Sequence, residues 1–284
     1  MANLLDIRRR IRSVKNTQQI TRAMKSVSAV KLRRAQERVL AARPYAIELK
    51  AILSDLSARV ENLSHPLLEI RPERKILLIV VTSDRGLCGA FNTNISRAAE
   101  DFMKSHSDGK LPLMTVGRKG RDYFKRRGSS ILEEHVGIFS QLDFKHARAI
   151  GQRIVDLYSG AEIDSVYLAY NEFKSVIQQR LVVAPLLPLS PSEFEGEQVV
   201  GGDYIYEQPP QAIFERLLPQ FVDTQVHRAL LESAASEHGS RMAAMDAATR
   251  NAGEMIEALT LNMNRIRQAA ITREIIEVVS GASA

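Results

Sequence analysis

Apolar positions in the first sixty residues recur three and four apart: Leu4, Ile7, Ile11 and Val14, then, after a gap, Leu32, Ala35, Val39, Ala42, Ala46, Leu49, Leu53, Leu56, Val60 and Leu63. One seven-residue register holds throughout, which is the seam of a slightly underwound helix facing a helical partner. In the gap Gln18, Thr21, Lys25 and Ser28 take the seam positions, while Ile20, Met24 and Val27 put apolar surface on another face. This pattern predicts that the helix turns there toward a different neighbour; fraying of a two-helix seam is the alternative. Pro44 lacks an amide proton and disfavours helical geometry at Arg43, so a kink or short break is expected there.

The carboxyl-terminal stretch from Pro209 to Ala284 is nearly free of helix breakers after Pro219. Met245, Ala252, Leu259 and Ile266 recur every seven residues, and Ala248, Met255, Asn262, Ala269 and Ile276 form an expected companion row in which Asn262 would fix register. Between the two helical ends the period changes. Lys75–Ser83 reads as a buried strand, Ala90–Ser105 as a helix, Leu111–Gly117 as a strand and Arg118–Arg127 as a helix. Phe144–Tyr158 is helical, and Ser165–Phe173 and Gln179–Leu189 are strands. Strands separated by helices imply a mainly parallel sheet with helices on its faces.

The expected organisation is an amino-terminal coiled-coil helix over 1–64, an α/β domain over 73–190, a polar linker over 191–208 and a carboxyl-terminal coiled-coil helix over 209–284. The first helix enters the insert with its carboxyl end and the last leaves it with its amino end, so the two must run antiparallel. The fold class is α/β plus long helices: an antiparallel coiled coil of the terminal helices with an inserted Rossmann-like α/β domain. Much of the helical pair is expected to project as a stalk. Its carboxyl end has apolar residues on more than one face (Ile271, Ile275, Ile276, Val278, Val279), which calls for an enclosing partner.

Composition removes several alternatives. The chain of 284 residues is 45% hydrophobic and 25% charged, ordinary for a protein with a buried core. Its longest apolar run, Ile76–Val81, is far short of the roughly 20 residues of a membrane-spanning helix. One cysteine, Cys88, and six scattered histidines give neither an internal disulfide nor metal-ligand spacing, so no metal or cofactor is expected and a reducing compartment is the default. Charge is uneven: twelve Lys or Arg between Met1 and Arg43 face only Asp6 and Glu37, a local net of +10 in a chain of +6. That segment asks for an acidic partner.

Motifs for chemistry mostly fail. Ser83–Asn92 (SDRGLCGAFN) follows a strand and opens a helix, where phosphates meet free backbone amides, but it lacks GxxxxGK(S/T) and GxGxxG; a structural turn needing its glycines is the competing reading. Gly117-Arg118-Lys119-Gly120-Arg121 poses the same choice. Glu133, Glu134 and His135 lack HExxH spacing, and Ser233, Ser236 and His238 lack a nucleophile elbow. The residues read as a mechanical or interaction element.

The carboxyl-terminal run ITREIIEVVSGASA, from Ile271 to Ala284, fits I-T-x-E-x-x-D/E-x-x-x-G-A at every specified position. Arg10–Ala35, the SDRGLCGAFN turn and Glu232–Ile256 carry the same likeness, and over its whole length the sequence resembles the gamma subunit of bacterial F-type ATP synthases. The resemblance implies a non-catalytic rotor shaft that couples proton-driven rotation of a c-subunit ring to conformational change at the beta-subunit catalytic sites. The implied partners are the ring of three alpha and three beta subunits, the epsilon subunit and the c ring, with membrane association only through the complex at the cytoplasmic face of a bacterial membrane. By match, Ile20, Arg22, Met24 and Lys25 face an acidic loop of the beta subunit. Arg267, Gln268, Thr272, Glu274, Ile275 and Val279 lie at the catch and bearing of the alpha–beta ring, and Tyr204, Ile205, Tyr206 and Glu207 form a foot toward the c ring and epsilon. A hairpin or strand edge packing the insert is the alternative for that last group. The chain begins almost directly at the family motif and lacks the cysteine-containing insertion of the chloroplast form, which implies bacterial origin without thiol control. The rival class is a basic coiled coil that binds nucleic acid or another structural scaffold, motivated by the +10 segment; almost no aromatic interleaving, Tyr45 alone, argues against nucleic acid.

Overall fold

The computed structural model describes residues 4–59, 65–106, 111–175, 178–190 and 207–282. The chain forms two units, one of Val30–Ser240 and one built from Met1–Ala29 with Arg241–Ala284. Helix α1 spans Leu4–Arg59 and α5 spans Pro210–Ala282.

In the larger unit the apolar run expected to be a strand is β1, Ile76–Val81, buried at every position. It is followed by α2 (Phe91–Ser105), β2 (Leu113–Val116), α3 (Arg118–Arg126), β3 (Ile131–His135), α4 (Phe144–Ser159), β4 (Ser165–Phe173) and β5 (Gln179–Leu187). The sheet order is β3-β2-β1-β4-β5. The first four strands are parallel and β5 is antiparallel to β4. Edge strand β3 escapes the sequence reading because only Ile131 and Leu132 in it are apolar and neither is fully buried.

Alternation along β1 sends side chains to two cores. Leu77, Ile79 and Val81 join Ile150, Ile154 and Tyr158 of α4, Leu49, Leu53 and Leu56 of α1, and Phe214, Leu218 and Val222 of α5. Leu78 and Val80 pack on the other face with Phe91, Ile95 and Ala99 of α2 and Phe124 of α3. The sheet is therefore covered on both faces, as a parallel sheet requires. Asp143 and His146 close a reciprocal cap at the start of α4.

The break expected at Pro44 does not occur: α1 continues through it. Pro44 and Leu40, whose carbonyl loses its amide partner, are both exposed, so water can satisfy the freed group. Meanwhile Val39 and Leu49 stay buried on either side of the proline and hold the helix down.

In the smaller unit α1 and α5 run antiparallel, since Gln18 and Thr21 meet Thr249 while Lys25 meets Asp246. The α1 seam does not turn away at the polar gap. Thr21 and Ser28 are 8% and 3% exposed, and their hydroxyls donate to the carbonyls of Gln18 and Met24 at 3.0 and 2.7 Å. Back-bonding takes up their protons within α1, so the seven-residue register persists through polar residues. The second row of the α5 seam is also corrected. Met255 is 54% exposed, and Asn262, Ala269 and Ile276 also lie open, whereas Thr249, Ile256, Met263 and Ala270 are partly covered. Rows spaced three and four apart from Met245 and Ala252 pass through these residues, one position away from the expected row, and Asn262 sets no register.

Candidate functional site

The loop that most resembles a phosphate site spends its donors internally. At the start of α3, Gly120 N–H donates to Thr82 Oγ1 at 2.8 Å, Lys119 N–H to the Ser83 carbonyl at 3.0 Å and Arg118 N–H to Asp84 Oδ1 at 3.1 Å. Gly117 has φ of 94°, and a Cβ there would stand 2.3 Å from the Thr82 carbonyl, so the glycine serves close approach of two loops. In the SDRGLCGAFN turn the Asn92 amide donates to Ser83 Oγ and to buried Cys88 Sγ. Both loops are self-satisfied structural turns.

Open parallel sheets bind ligands where strand order reverses, at the carboxyl ends of the central strands, here between β1 and β4. Near the end of β4, α5 occupies that region: Glu232 accepts the Phe173 N–H at 2.9 Å and the Ser236 hydroxyl donates to the Asn171 carbonyl at 3.2 Å. Among the described residues, no group of three His, Cys, Asp or Glu has the geometry to hold a metal ion.

What remains open is surface on the paired helices of the smaller unit. Ile20 and Val27 are 60% and 55% exposed, Arg22 is exposed and Met24 half-buried, so Ile20, Met24 and Val27 line one outward face at spacings of four and three. Lys25 differs from its neighbours. Its ammonium pairs with Asp246 of α5, whose second oxygen meets Arg250 at 2.8 Å. The hydrogen bond from Lys25 and the nearby Arg250 charge hold the Asp246 carboxyl below the usual carboxylate range against the opposing effect of burial. The Thr249 hydroxyl donates to Thr21 Oγ1 at 2.8 Å, and Gln18 Nε2 donates to the Thr249 carbonyl at 3.3 Å. This polar cross-link escaped the sequence reading. Its signal was the unbroken register through Thr21 and Ser28, together with Asp246 and Arg250 one turn apart.

The cross-links also fix what the end of α5 faces. Equal steps along antiparallel helices place Leu4 level with about residue 265, so Ile271 onward runs past the first described turn of α1. Every residue from Ile271 to Ala282 is exposed, with Ile275 at 57%, Val278 at 72% and Val279 at 62%. Arg267, Gln268, Thr272 and Glu274 are exposed as well, and the Thr272 hydroxyl donates back to the Gln268 carbonyl at 3.0 Å. Of the foot group, Tyr204, Ile205 and Tyr206 lie outside the described residues, and Glu207 is exposed.

A paired-helix shaft, an α/β unit whose phosphate-like loops are self-satisfied, and a bare apolar helix end define an interaction subunit of a larger assembly. The family model for ATP synthase matches residues 3–284. The chain is 54% identical over 288 residues to the ATP synthase gamma chain of Solibacter usitatus, covering 100% of this chain and 99% of that one. It is 49% identical over 284 residues to the gamma chain of Pelotomaculum thermopropionicum, again covering 100% and 99%. Among solved structures, the central stalk and c-ring structure of Tetrahymena thermophila mitochondrial ATP synthase contains a chain 27% identical with a TM-score of 0.62, covering 81% of this chain and 99% of that one. A chain of the Euglena gracilis mitochondrial enzyme shares the fold at a TM-score of 0.71 and 19% identity, covering 99% and 94%. The chain belongs to the ATP synthase gamma chain family. No described helix is long and apolar enough to cross a membrane.

Proposed function

We propose that this chain is the central rotor shaft of a bacterial F-type ATP synthase, a subunit that makes and breaks no covalent bond itself. It passes rotation of a c-subunit ring to a surrounding ring of three alpha and three beta subunits, where the asymmetric shaft favours different conformations of the three catalytic sites in turn. A ligand or contact shifts a conformational equilibrium only through its different affinity for the two states, so the shaft needs faces that are unlike around its axis. The observation that carries this reading is the end of α5, exposed on every side from Ile271 to Ala282, which water tolerates poorly and a closed collar would cover.

In this reading Ile20, Arg22 and Met24 meet an acidic loop of the beta subunit, and Lys25 contributes less free charge because Asp246 already pairs with it. Arg267, Gln268, Thr272, Glu274, Ile275 and Val279 lie within the collar at its catch and bearing. Glu207, with Tyr204, Ile205 and Tyr206, faces the c ring and epsilon. The chain sits at the cytoplasmic face of the bacterial membrane, held there through the complex.

Reconstitution tests the proposal. Mixing the purified chain with alpha and beta subunits is expected to yield an assembly with multi-site ATP hydrolysis, while the chain alone shows none. Hydrolysis by the chain alone, or an alpha–beta mixture indifferent to its addition, would overturn it.

A further inference from the structure

In the larger unit, a cavity of about 850 Å³ opens between α1, α5, the start of α4 and the end of β4. Its volume falls in the range of about 300–1,000 Å³ usual for small-molecule sites. The cause lies in the α1 seam. Where neighbouring seam positions hold Val39, Leu49 and Leu53, two successive positions hold Ala42 and Ala46, which are only partly covered and leave α5 unfilled opposite them. Aromatic walls flank this gap: Tyr45 on α1, Phe144 at the start of α4 and Phe173 at the end of β4.

The charges around the cavity are unbalanced. Of its two carboxylates, Glu172 pairs with Lys174 at 3.0 Å, while Glu232 accepts the Phe173 amide at 2.9 Å and keeps its charge. Three further cations line it. Arg43 and Lys50, seven residues apart on α1, and Arg228 on α5 form no ion pair or hydrogen bond among the described residues. An apolar, aromatic-walled gap thus carries two more cations than carboxylates, with cations on both helices. A ligand with a flat or chain-like apolar body and one anionic group would meet all of these features at once.

We propose that this cavity binds amphipathic organic anions, apolar molecules bearing one carboxylate or sulfonate, with the body against Ala42, Ala46 and the aromatic walls and the anion held by Arg43, Lys50 and Arg228. Such a ligand touches both helices, so its binding resists their separation and raises the stability of the chain by mass action. The site is independent of the rotor reading and needs no partner subunit.

The test uses the full chain and two fluorescent probes of similar body, anionic 8-anilinonaphthalene-1-sulfonate and uncharged N-phenyl-1-naphthylamine, with dodecanoate as competitor. One saturable site for the sulfonate, displaced by dodecanoate, is expected. Arg43→Glu and Arg228→Glu should each weaken the sulfonate about tenfold or more while leaving the uncharged probe within about twofold. Ala46→Trp, which fills the gap, should remove both; should that variant misfold by circular dichroism, Tyr45→Ala serves in its place and should weaken both probes. Equal sulfonate binding by the wild type and both Glu variants would overturn the proposal, since it would place the dye on the exposed apolar end of α5. Failure of dodecanoate to displace the dye, with displacement by an acidic amphipathic peptide instead, would also overturn it and assign the surface to a protein segment.

Discussion

Asp223 of α5 is 7% exposed and lies against Gly151 of α4, so close that a Cβ on Gly151 would stand 2.0 Å from its Oδ1. Among the described residues it accepts no hydrogen bond. Burial pushes its pKa from 3.8 to about 6, and Arg148, the charged group that acts on it, only partly opposes the shift. A carboxyl whose pKa is raised by folding favours the native state fully below its unfolded value. That contribution is lost as pH rises through the folded value. The ionised group therefore penalises folding by about 3 kcal/mol at pH 8 and by roughly half of that at pH 5. Asp223→Asn removes the titration while nearly keeping the shape. It is expected to stabilise the chain at pH 8 by up to about 3 kcal/mol, with an advantage roughly half as large at pH 5. Urea unfolding followed by tyrosine emission, with Tyr158 buried on the same helix α4, measures both values. Taking the difference between variant and wild type at each pH cancels every other titrating group. An advantage that does not change between pH 8 and pH 5 would refute the assignment of a desolvated, ionising Asp223.

Four other outcomes follow from the geometry. Gly117→Ala forces a methyl group onto the Thr82 carbonyl at a φ of 94°, and is expected to cost at least about 3 kcal/mol in urea unfolding. Thr21→Val alone should destabilise the helix pair by about 1 kcal/mol, whereas Thr21→Val with Thr249→Val should be neutral or stabilising, because both hydroxyls then leave together; a double-mutant cycle by thermal circular dichroism reads this. Asp246→Asn should lower the thermal stability of the paired helices at pH 7, by an amount that shrinks as the pH falls below the usual carboxylate range, because a carboxyl held below its usual range gives stability that is lost as pH falls through its folded pKa. Ile20→Asp should leave the stability of the isolated chain within about 0.5 kcal/mol, since Ile20 is exposed, yet reduce ATP-driven proton pumping in vesicles reconstituted with the whole complex; unchanged pumping counts against the proposed beta contact.

Elements whose own side chains bury a face were legible in the sequence. The run Ile76–Val81 could only be a strand covered on both sides, and the leucines at 49, 53 and 56 could only face a core. Elements held by neighbours were not legible. Strand β3 is recruited by hydrogen bonds to β2 rather than by its own pattern, and α1 crosses Pro44 because flanking seam residues are anchored elsewhere in the chain. The candidate contact residues were legible only through family resemblance, because an exposed Ile20 differs from an ordinary surface residue only by what covers it. Lys25 shows the converse. Its pairing with Asp246 is invisible in the sequence, because the partner lies more than two hundred residues away and no local spacing reveals it.

The distribution of apolar residues between seam and surface carries the deeper point. An isolated coiled coil gains most by placing its Ile, Val and Met side chains in the seam and polar ones outside. From Gln18 to Ser28 this chain does the reverse, burying Thr21 and Ser28 while Ile20 and Val27 stand in water. The end of α5 goes further and exposes Ile275, Ile276, Val278 and Val279 with no seam at all. Each such side chain forgoes about 1.5–3 kcal/mol of burial in the free chain. Inverting the pattern while keeping the seven-residue register requires hydroxyls that can donate within their own helix, as Thr21 and Ser28 do. The seam is thus built to hold register with little grip of its own, and the apolar surface is kept for contacts that form only when other subunits close around it.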